Sequence, residues 1–232
     1  MPVMDNAESR ALLEDAARRA CEYLDHLDDR RVAPDAAAIT ALASLDQTLP
    51  DGPSDERDVL AELDLVVSPA TLATAGPRFF GFVIGGVLPA ALAANWLAGA
   101  WDQNAGLDAP TPGVSALERV ALGWLVDLFD LPASAGAGFV TGATMANFTA
   151  LAAGRHAVLA RAGWNVEADG LFGAPPITVL VGAEAHPTLF KSLGLLGLGR
   201  SRVVRVPVDG QGRMRADAMP PIDGPTILCL QA

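Results

Sequence analysis

Leu13, Ala16, Ala20, Leu24 and Leu27 recur at helical spacing, with acidic and basic residues between them, so residues 7–30 read as an amphipathic helix. Residues 32–53 hold a short helical stretch that ends in the breaker cluster Leu49-Pro50-Asp51-Gly52-Pro53. Ser54 is then the expected N-cap of a helix running to about Leu65, with Asp55 and Glu56 favouring its positive end. Ser68-Pro69 starts another short segment, and Ala75-Gly76-Pro77 breaks the chain again. Residues 89–101 read as a helix, and Thr111-Pro112 opens the next. Its apolar side carries Leu117, Val120, Ala121, Trp124, Leu125 and Leu128, and it stops at Asp130-Leu131-Pro132.

Beyond that point the pattern alternates. Gly138-Phe139-Val140-Thr141 reads as a short strand and residues 145–162 as a helix. Ile177 to Val181 is a β-branched, buried-type strand, followed by a helix over 188–195. A strand over 203–208, a turn at Asp209-Gly210-Gln211-Gly212, a short helix at 217–219 and a strand over 226–230 complete the series. Strands separated by helices predict an α/β fold with a mostly parallel sheet covered on both faces. The expected division is a helical segment over 1–75 and an α/β domain over 76–232.

Composition narrows the function classes. Of 232 residues, 51% are hydrophobic and 19% charged, enough for a buried core. A net charge of −11 argues against nucleic acid and against an anionic membrane surface as partners. Phe79 to Trp101 and Leu131 to Gly154 carry no charge and each passes the length test for a membrane span. Both owe their apolarity largely to Ala and Gly, and Pro89 and Asn95 interrupt the first, so core segments are expected instead. The polar, acidic N-terminus lacks a basic region before an apolar run, so no secretory signal is expected. Cys21 and Cys229 give neither a zinc spacing nor a disulfide framework, and a cytoplasmic location is the expectation.

Two places offer chemistry. Thr141-Gly142-Ala143-Thr144-Met145-Ala146-Asn147 joins a strand to a helix, where small residues and free N–H groups suit a phosphate. A Walker loop needs a Gly-Lys-Ser/Thr ending, which is absent here. Gly136 and Gly138 precede the strand, the wrong side for a dinucleotide fingerprint. The second place is His186, just past a strand, at the edge where parallel sheets bind ligands. On residue type alone each has a bland alternative: a plain capped helix, and a structural His. With only His26, His156 and His186 in the chain, no metal is expected. No Gly-x-Ser-x-Gly elbow is present. The cluster of Phe79, Phe80 and Phe82 is either a packed loop or a pocket wall.

Taken in order, these segments resemble a known family. Pro77-Arg78-Phe79-Phe80-Gly81-Phe82, Trp101-Asp102-Gln103-Asn104, Thr111-Pro112 and Leu117-Glu118 come first. The 138–147 segment, then Ala185-His186-Pro187-Thr188 through Lys191, Leu196 to Gly199, and 206–214 follow. The series is similar to successive landmarks of the group II pyridoxal-phosphate-dependent decarboxylases, from about residue 50 onward. The resemblance implies a fold type I architecture with pyridoxal 5'-phosphate (PLP) at a homodimer interface. It implies that Gly142, Ala143, Thr144 and Asn147 hold the cofactor. It implies that His186 stacks on the ring and acts catalytically on an amino-acid substrate. Phe79, Phe80, Thr111 and Pro112 would face the substrate, and the N-terminal helices would pack against the partner subunit.

The same resemblance implies that the Schiff-base lysine and the acid at the ring nitrogen lie downstream. Lys191 is the only lysine and falls after the stacking His, so it is not the Schiff-base residue. The expected activity is therefore that of an N-terminal portion, complete only with a C-terminal fragment of the same enzyme. The alternatives are a non-catalytic binding or structural protein, and another fold type I enzyme such as an aminotransferase or desulfurase relative.

Overall fold

The computed structural model describes residues 6–231. Contacts divide the chain into two compact units with the boundary between Asn104 and Ala105. The break at Ala75-Gly76-Pro77 thus lies inside the first unit, and the helix after it groups with the N-terminal helices.

The first unit contains α1 (Asn6–Asp25), α2 (Ala36–Ala41), α3 (Glu56–Glu62) and α4 (Pro89–Trp101). Asp35 caps α2 by accepting from the Ala38 N–H at 2.9 Å. Asp55, not the expected Ser54, caps α3, accepting from the Arg57 N–H at 2.8 Å. Both residue types cap well, and a carboxylate also favours the positive end of the helix. After Glu62 the chain widens into a π turn, Leu63–Val67, and then tightens into a 3-10 turn, Ser68–Ala70. Arginines tie this unit together. Arg19 on α1 donates to Asp64 in the π turn at 2.6 Å. Arg30 lies over the Tyr23 ring, 4.6 Å from its centroid, and donates to Ser68 O. Arg78 donates to both Asp28 O and Arg30 O at 2.6 Å.

The second unit contains α5 (Pro112–Leu128), α6 (Ala143–Arg161), α7 (Val166–Asp169) and α8 (Pro187–Leu195). Its strands are β1 (Thr178–Gly182), β2 (Val204–Val206) and β3 (Thr226–Cys229). They form a parallel sheet in the order β2-β1-β3, with Leu180 opposite Val204 and Leu228. β1 lies in the centre, which explains its unbroken Val-Leu-Val run.

Alternation along the strands sorts the two faces. Val179, Val181, Ile227 and Cys229 point to one side, where they pack with Leu151 and Phe148 of α6 and with Leu189 and Leu193 of α8. Leu180, Gly182 and Val206 belong to the other side. There Leu180 and Val206 are buried, and Met214 comes up under Gly182, where a Cβ would lie 3.1 Å from its Cγ. Met214 is delivered by the turn at Asp209–Gly212. In it, the Asp209 carboxylate accepts from the Gln211 and Arg213 N–H groups, and Gly212 takes a φ of 82°.

The expected strand at Gly138–Thr141 is not formed. The backbone there joins no ladder among the described residues. A side-chain pattern can favour a strand, but a strand exists only with a hydrogen-bonded neighbour. Among the described residues no helix is long and apolar enough to cross a membrane. The 13 residues of α4 span about 20 Å, short of the roughly 30 Å of a bilayer core.

Candidate functional site

β1 ends in a turn closed by the Ala185 N–H donating to Gly182 O at 3.0 Å. That turn places His186 beyond the carboxyl end of the central strand. His186 is also the N-cap of α8, with Pro187 pre-set at the first helical position. Its Nδ1 accepts from the Thr188 N–H at 3.3 Å and lies 2.9 Å from Thr188 Oγ1. A single side chain therefore both starts α8 and borders the sheet edge.

Opposite stands α6. It begins at Ala143 after Gly142, which has a φ of 152° and makes no side-chain cap hydrogen bond. The first intrahelical bond is from the Ala146 N–H to Gly142 O at 3.1 Å. The N–H groups of Ala143, Thr144 and Met145 therefore have no partner in the helix, at the positive end of a 19-residue dipole. One turn further on, Asn147 faces the strand edge. Its Nδ2 donates to Thr188 Oγ1 at 3.1 Å, joining α6 to α8. Below it Ser192, fully buried, reaches Thr144 O at 2.9 Å and Thr188 O at 3.0 Å.

Asn147, Leu151, His186, Leu189 and the strand end from Ile227 to Gln231 line a cleft of about 360 Å³. It lies where open parallel sheets bind ligands. Cys229 borders it, and burial pushes its thiol above the ordinary value, so it is not poised as a thiolate. No cluster among the described residues could hold a metal ion.

The structure thus brings together Asn147 and His186 in one cleft, with Gly142, Ala143 and Thr144 at the head of the same helix. Thr111 and Pro112 do not line that cleft. Thr111 is buried at the start of α5, where its Oγ1 donates to Leu107 O at 2.8 Å. Phe79 is half-buried and Phe80 91% exposed, both on the first unit. Their loop also holds Phe82 and Val83 at φ 57° and 55°, unusual for such side chains. A hollow of about 470 Å³ in the first unit is lined by Tyr23, Leu63, Leu92 and Trp96. Its charged residues Arg19 and Asp64 are paired with each other, so neither is left for a ligand.

Sequence reasoning left two contributors without a role. Thr188 and Ser192 are ordinary helix residues by composition, and only their partners across to α6 reveal what they do. A signal for Thr188 was present: a residue two after a capping His stands beside its ring.

The donors present fit PLP. An uncapped helix start suits its phosphate, and an imidazole at the strand edge suits its flat ring. Comparison with known proteins agrees. Residues 39–220 match the pyridoxal-dependent decarboxylase conserved domain. The aromatic-L-amino-acid decarboxylase of Rattus norvegicus is 26% identical over 227 residues, 93% of this chain and 46% of that one. The L-2,4-diaminobutyrate decarboxylase of Rhizobium meliloti is 33% identical over 129 residues, 56% of this chain and 24% of that one. Among solved structures, mouse CSAD superposes with a TM-score of 0.82 at 23% identity over 92% of this chain and 45% of that one. Oryza sativa TDC with PLP and tryptamine gives 0.77 at 23% identity, over 91% and 44%. These likenesses show the fold, the fold type I α/β architecture. The chain spans about half the length or less of the curated relatives it matches. It belongs to the pyridoxal-dependent decarboxylase family.

Proposed function

We propose that this chain is the N-terminal portion of a PLP-dependent amino-acid decarboxylase, a carboxy-lyase that releases CO₂ and an amine. The observation that carries the reading is that α6, which opens uncapped at Gly142, is joined through Asn147 to Thr188, beside His186 at the carboxyl edge of β1. When bound, PLP supplies an electron sink for the charge left as CO₂ departs. The chain's own part is to bind and orient. The Ala143 and Thr144 N–H groups and the Thr144 hydroxyl would hold the phosphate. With the cofactor bound, His186 would supply the flat face for its ring, and Leu151, Leu189 and Ile227 would keep water from that side. Asn147 acts at this site through Thr188.

The substrate is an amino acid, and Phe79 and Phe80, assigned to its side by the family resemblance, favour an aromatic or otherwise apolar one. Thr111 and Pro112 remain assigned to the substrate side on the family resemblance alone. The remaining catalytic groups come from a C-terminal portion, and the complete unit works as a cytoplasmic homodimer.

The test is turnover by the complete assembly with PLP and a panel of amino acids. Equal molar release of CO₂ and the matching amine is expected, one proton being taken up at the carbon that loses the carboxyl group. A keto acid without CO₂ would replace this reading with an aminotransferase. No product from any amino acid would leave a binding or structural role.

A further inference from the structure

We propose that Thr188 and Asn147 are positioning residues that lock the neutral His186 ring in its Nε2–H tautomer. The geometry is directional. A backbone N–H can only donate, so the Thr188 N–H, 3.3 Å from Nδ1, requires that nitrogen to be an acceptor. A proton on Nδ1 would point at a second donor. Thr188 Oγ1, 2.9 Å from the same nitrogen, then gives its single hydroxyl proton to it. That assignment needs Oγ1 to act as acceptor toward its other neighbour, and Asn147 Nδ2 donates to it at 3.1 Å. The three groups form one chain, Asn147 N–H to Thr188 O–H to His186 Nδ1, in which every proton has one direction.

The ends of the chain are anchored. Asn147 sits on α6 and Thr188 on α8, and buried Ser192 clamps the same two helices through Thr144 O and Thr188 O. No described residue bonds Nε2. In this tautomer the ring offers the cleft an N–H donor at Nε2, suited to an anionic oxygen. What this donor faces rests on the decarboxylase reading; the tautomer itself does not.

The test is two-bond ¹H–¹⁵N correlation of the histidine rings in the whole chain, about two pH units above the ordinary imidazole pKa of roughly 6.5. Exposed His26 reports an unconstrained ring in the same spectrum. Two donors on Nδ1 should suppress the Nδ1–H form of His186 at least about ten-fold relative to His26. Thr188→Ser keeps the hydroxyl and should keep the suppression. Thr188→Val should raise the Nδ1–H form several-fold, and Asn147→Ala should do so by about two-fold, through the freed hydroxyl. A His186 pattern equal to that of His26, or one unchanged by Thr188→Val, overturns the proposal. A locked tautomer in an assembly that releases no CO₂ would leave it standing and remove the catalytic reading. A mixed tautomer in an active assembly would do the reverse.

Discussion

The two units of this chain draw on different forces. In the second, Leu151, Leu159, Val166, Val179, Leu180, Val181, Leu193, Leu196 and Val206 are buried, and several are wholly closed to solvent. In the first, Ala73 alone of the described apolar residues is buried, while Leu65 is 78% and Leu49 91% exposed. What the first unit has instead is arginine. Arg19, Arg30 and Arg78 reach carboxylates or carbonyls across its turns, and Arg18 pairs with Asp15 and Glu22 along α1. Exposed ion pairs contribute little each, whereas buried aliphatic side chains contribute about 1.5–3 kcal/mol. The contrast bears on function. The cleft lined by Asn147 and His186 stands on the unit that has a core, so its geometry is held by packing rather than by salt-sensitive contacts.

The sharpest way to break this comparison is a matched pair of truncations. Leu193 is fully buried between α6, α8 and the sheet, so Leu193→Ala should cost about 2–5 kcal/mol and lower the urea midpoint of the second unit. Leu65→Ala, on the exposed side of the π turn, should stay within about 0.5 kcal/mol. Equal costs would mean that exposure does not measure what holds each unit.

A finer version compares two hydroxyls that make the same contact. Ser192 donates to the carbonyl four residues back, Thr188 O at 3.0 Å, and is fully buried. Thr40 donates to Ala36 O at 2.8 Å and is exposed. Removing a buried hydrogen bond costs about 1 kcal/mol, so Ser192→Ala should destabilise the second unit by that much. It should also loosen the start of α6, because Ser192 holds Thr144 O as well. Thr40→Ala should be neutral or slightly stabilising, since Ala is the better helix former and water replaces the lost contact. Thermal melts of both variants decide this, and a larger loss from Thr40→Ala would reverse the ranking.

The same contrast explains what was legible in the sequence. Local signals carried well: Pro89 and Pro112 mark helix starts, and the Val-rich run marks the central strand. The sequence also singles out His186 and the 141–147 segment, of which His186 and Asn147 line one cleft. Whatever depends on a partner did not carry. Gly138–Thr141 has the side chains of a strand but no neighbour to pair with among the described residues. The apolar stripe of α5 predicts a packed face, yet Trp124 is 73% and Leu128 75% exposed. The π turn after α3 follows no periodic pattern. The short helix α7 was missed although Asn165, which caps it by accepting from the Ala168 N–H at 3.2 Å, was a readable signal. The Asn147–Thr188 contact is a link between residues 41 apart, set by how α6 and α8 cross the sheet.

The smallest expected effect separates the units by acid. Asp15 receives hydrogen bonds from Arg19 and Arg18, in that order of weight, and they hold its carboxyl below the ordinary value of 3.8. A carboxylate whose pKa is depressed in the folded chain contributes stability above the unfolded value, and loses it as pH falls through the folded one. The contribution of Asp15 is therefore complete at neutral pH and begins to fade only below about pH 4. Asp15 also holds Arg19, the side chain that reaches Asp64 in the π turn. The buried aliphatic core of the second unit has no such titration. Hydrogen exchange of the whole chain between about pH 5 and pH 2.5, corrected for intrinsic rates, should show α1 amides losing protection before those of β1. Asp15→Asn should flatten the α1 decline, because the variant has no charge left to lose. Simultaneous loss in α1 and β1 would show that the two units unfold as one, and would undo the division of forces from which the comparison starts.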